Sequence, residues 1–355
     1  MTFASPLWWR GRGDALPPSC DRASMMSIPR RSFLSALPAA ACLGAASEVF
    51  PSNRAEAQDF RAFIAGVRAE GRRAGISDAI LAQALNGLSP NTRVIELDRK
   101  QPEFTMTWER YRSTRLSEKR IAAGREQAAR NAQLLMQVEN AYGVDRGVIL
   151  GIWGLETNYG GFQGGFNVIE ATATLAWEGR RASFFRSELM AALKILNHGD
   201  ITMPRMQGSY AGAMGQPQFM PTSFNRYAVD FDGDGRRNIW DSVPDVLASI
   251  ANYLLKSGWH QGQPWGTQAI APATIDPSLT GRQNRLSLAE WARLGVTLGN
   301  GQRLPPSPLP ASLILPDGPG GEAFLAYPNF NVIRRYNPSD FYAIAVGMIG
   351  DMVMA

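Results

Sequence analysis

Apolar residues recur at helical spacing along most of this 355-residue chain. Between residues 59 and 138 they follow one another at intervals of three and four, the period of one helix face. The first such face comprises Phe60, Phe63, Ile64 and Val67. Ser77 is typical of a helix N-cap, and residues 115–138 form one charged, alanine-rich amphipathic stretch. This part of the chain is predicted to be helical.

The pattern changes twice toward the C-terminus. Helical spacing continues over 143–259, broken by glycine-rich turns. Prolines and glycines then become frequent, and short β-prone runs at 312–315 and 324–327 are typical of a small strand-containing unit. Helical spacing returns at 338–354.

These changes predict a mainly α-helical fold built from five parts. The parts are an N-terminal extension with a secretory signal, a helical flanking unit, a helical core, a small strand-containing unit and a C-terminal helix that returns to the core. Their predicted bounds are 1–57, 58–138, 139–261, 262–334 and 335–355.

The N-terminal part has the pattern of an export signal. The basic pair Arg30 and Arg31 precedes an apolar run at 35–46 that is too short to span a membrane. Ala55 and Ala57 then supply an A-x-A cleavage site. Because the arginine pair resembles a twin-arginine signal, export to the periplasm or cell envelope is predicted, by that route or the general one.

Composition narrows the function classes. The formal net charge of +5 suits an anionic wall polymer or membrane surface. The sequence contains no basic cluster with interleaved aromatics, so a nucleic-acid partner is not predicted. Both cysteines, Cys20 and Cys42, precede Gln58, so a chain cleaved there has no thiol for catalysis or metal binding. Peripheral or lipid-anchored membrane association is the less favoured alternative, and we expect a monomer.

Glu156 is the most distinctive catalytic candidate. It is the only acidic residue between Asp145 and Glu170. Its neighbours at helical spacing are apolar or aromatic: Ile149, Ile152, Trp153 and Tyr159. Such surroundings remove water from a carboxyl group and raise its pKa, as a general acid near neutral pH requires. From this segment alone, a helix-end glutamate facing solvent is the alternative.

A second candidate site is an aspartate- and glycine-rich loop at 230–241. Counted from its first residue, oxygen-bearing groups fall at positions 1, 3, 5, 7, 9 and 12, the spacing of a calcium loop with Asp in place of the final Glu. The groups come from Asp230, Asp232, Asp234, the carbonyl of Arg236, Asn238 and Asp241, with Asp245 able to complete the shell. We predict a structural calcium ion and no cofactor for the chemistry. The alternative is a turn of solvated charges.

Residues 208–224, between these two segments, are rich in small residues and neutral hydrogen-bonding groups. Ser209, Tyr210, Gln216 and Gln218 offer uncharged donors and acceptors beside aromatic residues, which is how proteins usually hold sugars. From this stretch alone, a sugar-binding loop and a packed structural loop are equal alternatives.

Together, segments 155–160, 208–215 and 218–223 and the aspartate loop resemble the membrane-bound lytic murein transglycosylase B family. The resemblance covers the chain from about Gln58 onward. It implies a lysozyme-like helical core with a flanking helical unit and a small β-containing unit. It also implies cleavage of the β-1,4 bond between N-acetylmuramic acid and N-acetylglucosamine in peptidoglycan glycan strands, leaving a 1,6-anhydromuramoyl end.

The resemblance places the catalytic acid at Glu156 and adds aromatic residues to a substrate cleft. The candidate substrate contacts, from the loop and from the resemblance, are Ser209, Tyr210, Met214, Gln218, Phe219, Tyr253, Tyr336 and Tyr342. Judged from the residues alone, each of the last three tyrosines could equally lie in the core.

A single acid is sufficient if the substrate supplies its own nucleophile. Glu156 would protonate the glycosidic oxygen and then deprotonate the C6 hydroxyl of muramic acid, which attacks C1. Three nearby glutamates, Glu170, Glu178 and Glu188, are expected at the surface. The alternatives are a hydrolytic muramidase on the same fold, which needs a second carboxylate, and a catalytically silent wall-binding protein.

Overall fold

The computed structural model describes residues 52–100 and 106–355, with side chains from residue 58 onward. The arginine pair, the apolar run and both cysteines of the predicted export signal lie outside the described residues. The A-x-A site falls in the first turns of the first helix, among residues whose side chains are not described. Within the described part, no helix combines the length and the apolarity needed to cross a membrane.

Among the described residues, six helices precede the core, as the apolar period predicts. They are α1 (Ser52–Arg73), α2 (Asp78–Leu85), α3 (Thr92–Arg99), α4 (Trp108–Arg115), α5 (Glu118–Arg130) and α6 (Ala132–Tyr142). The Ser77 side chain accepts a hydrogen bond from the backbone N–H of Ile80 and caps α2, as predicted. The stretch 115–138 is not one segment, because the chain leaves helical geometry after α4 and again at Asn131.

The core contains five helices and a very small sheet. The helices are α7 (Arg146–Thr157), α8 (Val168–Glu178), α9 (Ala182–His198), α10 (Pro221–Tyr227) and α11 (Val243–Lys256). Strands β1 (Phe166–Asn167) and β2 (Gln207–Gly208) pair antiparallel. Isolated bridges extend this pairing from Gly208 to Met214 and from Met214 to Phe219, so the glycine-rich loop is built onto the sheet.

A five-stranded antiparallel sheet follows, with strand order β4-β6-β7-β3-β5. Its strands are β3 (Gly266–Ile270), β4 (Leu286–Ser287), β5 (Thr297–Leu298), β6 (Pro310–Ile314) and β7 (Ala323–Ala326). The short helix α12 (Leu288–Arg293) packs against it through the fully buried Trp291. The strands predicted at 312–315 and 324–327 correspond to β6 and β7.

Helices α13 (Pro328–Tyr336) and α14 (Asp340–Met354) bring the chain back to the core. Helix α14 lies against α7 with its backbone in close contact: a Cβ at Gly151 would stand 2.1 Å from the carbonyl oxygen of Val346. A Cβ at Gly350 would stand 2.6 Å from the carbonyl oxygen of Gly147. The two contacts define an antiparallel pair of helices. The fold is mainly α with a small sheet, as predicted.

Candidate active site

Glu156 lies at the end of a buried helix. From Gly147 to Thr157 every residue of α7 is buried except Glu156, which keeps part of its surface exposed. Asn158 and Tyr159 follow with left-handed φ angles of 51° and 58°, which end the helix. The fold therefore presents one carboxyl group at the edge of an otherwise dry element.

The Glu156 carboxyl is desolvated and hydrogen-bonded. Burial raises its pKa to about 8, against the opposing effects of a Tyr342 hydrogen bond and the Arg115 charge. The Tyr342 hydroxyl donates to Oε1 of Glu156 at 2.7 Å. The rise in pKa agrees with the expectation from the apolar neighbours. At pH 7 such a group is about nine-tenths protonated and can act as an acid.

Helix α4 forms another side of the site. Burial raises the pKa of Tyr111 to about 12, with Arg115 lowering it and the charge of Glu156 raising it, so these groups share one region. The Arg115 guanidinium lies over the Tyr111 ring, 5.7 Å from its centroid. Sequence reasoning missed both residues. Their separation of one helical turn, which puts them on one face of α4, is the only sequence signal.

The loop between β6 and β7 holds α4 in place. Asp317 accepts hydrogen bonds from the backbone N–H groups of Trp108 (2.7 Å) and Glu109 (3.2 Å) at the helix start. Glu322 accepts from the indole N–H of Trp108 and pairs with Arg112. The sheet unit thereby fixes the helix that carries Tyr111.

Gln218 occupies a strained turn of the glycine-rich loop. Its φ is 53°, a region that non-glycine residues rarely adopt and that often marks functional positions. Its Nε2 donates to the carbonyl oxygens of Gln163 (3.0 Å) and Gly215 (2.9 Å), which uses both amide hydrogens. Within the described residues its Oε1 makes no hydrogen bond, so this oxygen is available to a ligand.

Ser209 and Tyr210 are adjacent but lie in different surroundings. The half-buried Ser209 accepts a hydrogen bond from the N–H of Ala213 at 3.0 Å and retains its own hydroxyl hydrogen. Tyr210 is buried in a separate apolar cluster with Val94 and Phe185. Of these two predicted contacts, Ser209 is the more exposed.

The remaining predicted contacts form a packed wall instead of lining an open cleft. Met214, Phe219 and Tyr336 have no exposed surface. The Tyr253 and Tyr336 rings lie 4.6 Å apart, and each lies 5.8 Å from the Phe219 ring. The Tyr336 hydroxyl donates to the carbonyl of Pro217, and the Tyr253 hydroxyl donates to the carbonyl of Arg335 (both 2.6 Å). These side chains therefore support the site from behind.

Gln216 connects three parts of the site. Its Oε1 accepts from the indole N–H of Trp153 at 2.7 Å, and its backbone carbonyl accepts from the Thr157 hydroxyl at 2.9 Å. Its Nε2 donates to the carbonyl of Trp240 at 2.8 Å. The backbone N–H of Gln216 donates to the carbonyl of Ile239. Gln216 thus joins α7 to the end of the aspartate loop, and the oxygen and the nitrogen of its buried amide each already hold a protein partner.

The aspartate loop brings together Asp230, Asp232 and Asp245, hereafter the carboxylate cluster. One oxygen from each lies within 4.8 Å of the others. Burial raises the pKa of Asp245 and the charge of Asp232 adds to the rise, against hydrogen bonds from the N–H groups of Phe231 and Asn238. Three carboxylates at this spacing, one of them buried, suit a hard cation with oxygen ligands.

Three of the other predicted ligands, Asp234, Asn238 and Asp241, have partners within the protein. Asp241 pairs with Arg205. Asp234 accepts from the backbone N–H of Arg236 at 2.8 Å, and Asn238 accepts from the N–H of Asp241 at 3.1 Å. The structure thus gathers three of the predicted oxygen ligands and leaves Asp241 outside the carboxylate cluster.

One of the three glutamates expected at the surface is buried. Glu188 accepts hydrogen bonds from the N–H (2.9 Å) and hydroxyl (2.7 Å) of Thr222, because α10 begins against α9. Glu170 and Glu178 are held by side chains of the α3 region. The side chains that shift the pKa of Glu156 are Tyr342 and Arg115, and neither is a carboxylate.

The sequence matches the family described as transglycosylase SLT domain over residues 59–351. It is 36% identical over 252 residues to the membrane-bound lytic murein transglycosylase B of Escherichia coli (strain K12). That match covers 69% of this chain and 67% of the relative.

Two solved structures show the same architecture. One is SltB3 from Pseudomonas aeruginosa in complex with NAG-anhNAM-pentapeptide, with a TM-score of 0.80, 46% identity, and coverage of 84% of this chain and 80% of that one. The other is the Escherichia coli lytic transglycosylase Slt35 in complex with calcium, with a TM-score of 0.71 and 32% identity. That match covers 85% of this chain and 94% of the Slt35 chain. These likenesses confirm the predicted lysozyme-like fold.

Proposed function

The chain belongs to the transglycosylase SLT domain family and is a peptidoglycan lytic transglycosylase, and we propose that Glu156 is its single acid–base group. The isolation of Glu156 carries the proposal: it is the one partly exposed residue of a buried stretch, with a pKa raised to about 8. Two-carboxylate glycosidases place the second group roughly 5 to 9.5 Å away. The rise in the pKa of Glu156 comes from burial and not from a neighbouring carboxylate, and the groups that act against it are Tyr342 and Arg115.

In the proposed reaction, neutral Glu156 gives its proton to the glycosidic oxygen as the bond from that oxygen to C1 of muramic acid breaks. Because the Tyr342 hydroxyl occupies Oε1, the proton is carried on Oε2. The resulting carboxylate takes the proton of the C6 hydroxyl of the same sugar, and O6 bonds to C1. The 1,6-anhydro ring closes, neutral Glu156 is restored, and no water is consumed.

The glycine-rich loop supplies the polar contacts in this proposal. The unpaired Oε1 of Gln218 can accept from a sugar N–H or hydroxyl, and the Ser209 hydroxyl can donate to a sugar oxygen. The packed Tyr253, Tyr336 and Phe219 rings keep the loop in place. The complex of SltB3 with NAG-anhNAM-pentapeptide supports an anhydro product with a peptide attached.

Product analysis tests the proposal. Purified sacculi are digested with the protein, and the soluble fragments are weighed by mass spectrometry. Anhydromuramoyl ends, lighter by one water than hydrolysed ends, are expected. Hydrolysed ends would identify a hydrolytic muramidase, and binding without release would identify a wall-binding protein. Glu156→Gln should lower turnover roughly 10²- to 10⁴-fold while glycan binding persists. Glu118→Gln, at an exposed position of α5, is the matched control.

We also propose that the carboxylate cluster holds a structural calcium ion. One oxygen from each of the three carboxylates lies within 4.8 Å of the others. The three negative charges repel one another at this spacing, and a hard cation removes that repulsion. The calcium complex of Slt35 supports the choice of ion. The ion would supply charge neutralisation only. Gln216 donates hydrogen bonds to the carbonyls of Ile239 and Trp240 in the aspartate loop. By stabilising this loop, the ion would support Gln216 and the turn beside Glu156.

We propose export to the cell envelope, where the glycan substrate lies. The arginine pair, the apolar run and the A-x-A site support this location. Cell fractionation of the full chain and of a variant with Arg30→Lys and Arg31→Lys tests the twin-arginine route. Loss of the envelope fraction in the variant is expected, and unchanged export would indicate the general route.

A further inference from the structure

Arg115, whose charge acts on Glu156, and the neighbouring Arg120 have no carboxylate partner among the described residues. Arg115 is the last residue of α4, Arg120 lies in the first turn of α5, and both are half-buried. Arg120 donates to the backbone carbonyl of Arg115, and its Nε is buried without a hydrogen bond. Burial and the neighbouring Arg115 charge both lower the pKa of Arg120. The site therefore carries an uncompensated positive pair.

Other half-buried arginines in the described part each have a side-chain partner. Arg68 donates to the amide oxygen of Asn86. The rest form ion pairs: Arg146 with Glu139, Arg181 with Asp98, Arg186 with Glu70, Arg237 with Asp200, and Arg282 and Arg334 with Asp340. Desolvated charge without a partner is costly, so the Arg115 and Arg120 pair favours an anion from outside the chain.

Arg115 is held where an anion on the substrate could reach it. Its guanidinium lies over the Tyr111 ring at 5.7 Å from the centroid, and a guanidinium held over a ring in this way keeps its N–H donors free for a carboxylate. The Tyr111 ring in turn lies 5.7 Å from the ring of Phe341, the residue before Tyr342, and the charge of Arg115 acts on both Tyr111 and Glu156. The anchoring of α4 by Asp317 and Glu322 fixes its position.

We propose that Arg115, supported by the charge of Arg120, binds a carboxylate of the glycan substrate and makes the enzyme selective for anionic strands. The inference rests on the proposed function and names a further contact in the same site. Each muramic acid carries a lactyl carboxyl group, which is free in a bare strand and amide-linked in a strand that bears peptides. The peptides carry carboxylates of their own. A guanidinium binds either carboxylate through two parallel N–H···O hydrogen bonds.

Three substrates distinguish the source of the carboxylate. The first is a glycan oligomer with peptide stems. The second is the same oligomer with the stems removed, so that its lactyl carboxylates are free. In the third, every carboxylate is converted to the neutral amide. For the wild type, Arg115→Met and Arg110→Met, kcat/KM is measured on all three at one pH. Arg110 is an exposed arginine on the same helix with no side-chain partner in the described part, so its variant removes the same charge.

The readout is the ratio of kcat/KM on a charged substrate to kcat/KM on the amidated one. A change in the acidity of Glu156 or in folding scales both rates together and leaves the ratio unaltered. Arg115→Met is expected to lower the ratio roughly tenfold, while Arg110→Met keeps the wild-type ratio. A loss confined to peptide-bearing strands assigns the stem carboxylate, and a loss on bare strands assigns the lactyl carboxylate.

An unchanged ratio in Arg115→Met would overturn the inference, whatever happens to the absolute rates. An equal fall of the ratio in Arg110→Met would also overturn it, because the effect would then be general electrostatic attraction. The proposed function is judged separately, by whether the wild type produces anhydro ends when it digests the amidated strands. Their absence would count against the function and not against the Arg115 contact.

Discussion

The backbone of Gly151 lies against the carbonyl oxygen of Val346, so closely that a Cβ there would stand 2.1 Å from that oxygen. Along the same antiparallel register, Tyr342 comes level with Glu156, and its hydroxyl donates to the Glu156 carboxyl at 2.7 Å. The close approach of α7 and α14 therefore sets the position of the hydrogen bond. Glycine is required at this contact for steric reasons.

Gly151→Ala is expected to destabilise the fold by about 1–3 kcal/mol, because the added methyl forces the two backbones apart. Activity should fall as well, since Tyr342 moves with α14. The measurement is chemical denaturation alongside a sacculus-clearing assay. Gly66→Ala, at an exposed helical position where a Cβ meets only Arg186 at 3.8 Å, is the control and should be neutral or slightly stabilising. Equal stability of the two variants would disprove the packing argument.

Tyr342→Phe should raise the pKa of Glu156 above its present value of about 8, because the lost hydrogen bond favours the ionised form. Activity requires protonated Glu156, so the alkaline limb of the kcat/KM profile should move to higher pH by about one unit. Tyr327→Phe, at a buried position in the sheet unit, is the matched control. An unmoved limb in Tyr342→Phe would show that the hydroxyl does not act on Glu156.

The raised pKa of Glu156 also predicts a pH-dependent stability. The ordinary pKa of 4.5 rises to about 8 in the folded chain, so the folded state binds this proton more tightly than the unfolded state. The resulting stabilisation is complete below pH 4.5, falls as the pH rises to about 8, and is lost above that pH.

Glu156→Gln has no such proton, so its melting temperature should gain on that of the wild type between pH 4.5 and pH 8. Glu118→Gln, whose position is exposed, should follow the wild type throughout. Thermal melts at several pH values provide the comparison. Parallel curves for Glu156→Gln and the wild type would mean that Glu156 is not desolvated in the folded chain.

Calcium should raise the melting temperature of the wild type by several degrees, and chelation should reverse the rise. Asp245→Asn removes a buried member of the carboxylate cluster and should abolish the response. Asp241→Asn should retain it, because Asp241 pairs with Arg205 outside the cluster. A wild type indifferent to calcium would refute the proposed ion. A lost response in Asp241→Asn would place the ion elsewhere in the loop.

Features that depend on near neighbours in the chain could be predicted from the sequence. The apolar surroundings of Glu156 come mostly from its own helix, so its desolvation follows from helical spacing. The Ser77 cap and the two β-prone runs are likewise local, and the structure contains them. Two of the three clustered carboxylates, Asp230 and Asp232, also lie within one short loop.

Features that depend on packing between distant segments could not be predicted. Glu188 was expected at the surface because its own helix is polar nearby, and only the docking of α10 on α9 buries it. From the sequence, Tyr336 and Tyr253 could equally contact the substrate or lie in the core, and in the structure both are buried, with hydroxyls that donate to backbone carbonyls from other elements. A sequence does not show which of two polar partners a tyrosine hydroxyl will reach.

The sequence by itself determined the helical elements, the Ser77 cap, the spacing of the aspartate loop and the apolar surroundings of Glu156, because each arises from residues within a few turns of one another. Only the tertiary structure decided which polar groups reach Glu156. Tyr342 of α14 and Arg115 of α4 reach Glu156 because the antiparallel contact at Gly151 and the anchoring of α4 by the sheet unit bring three helices together. Long-range packing of this kind depends on backbone distances, which no local pattern of residues encodes.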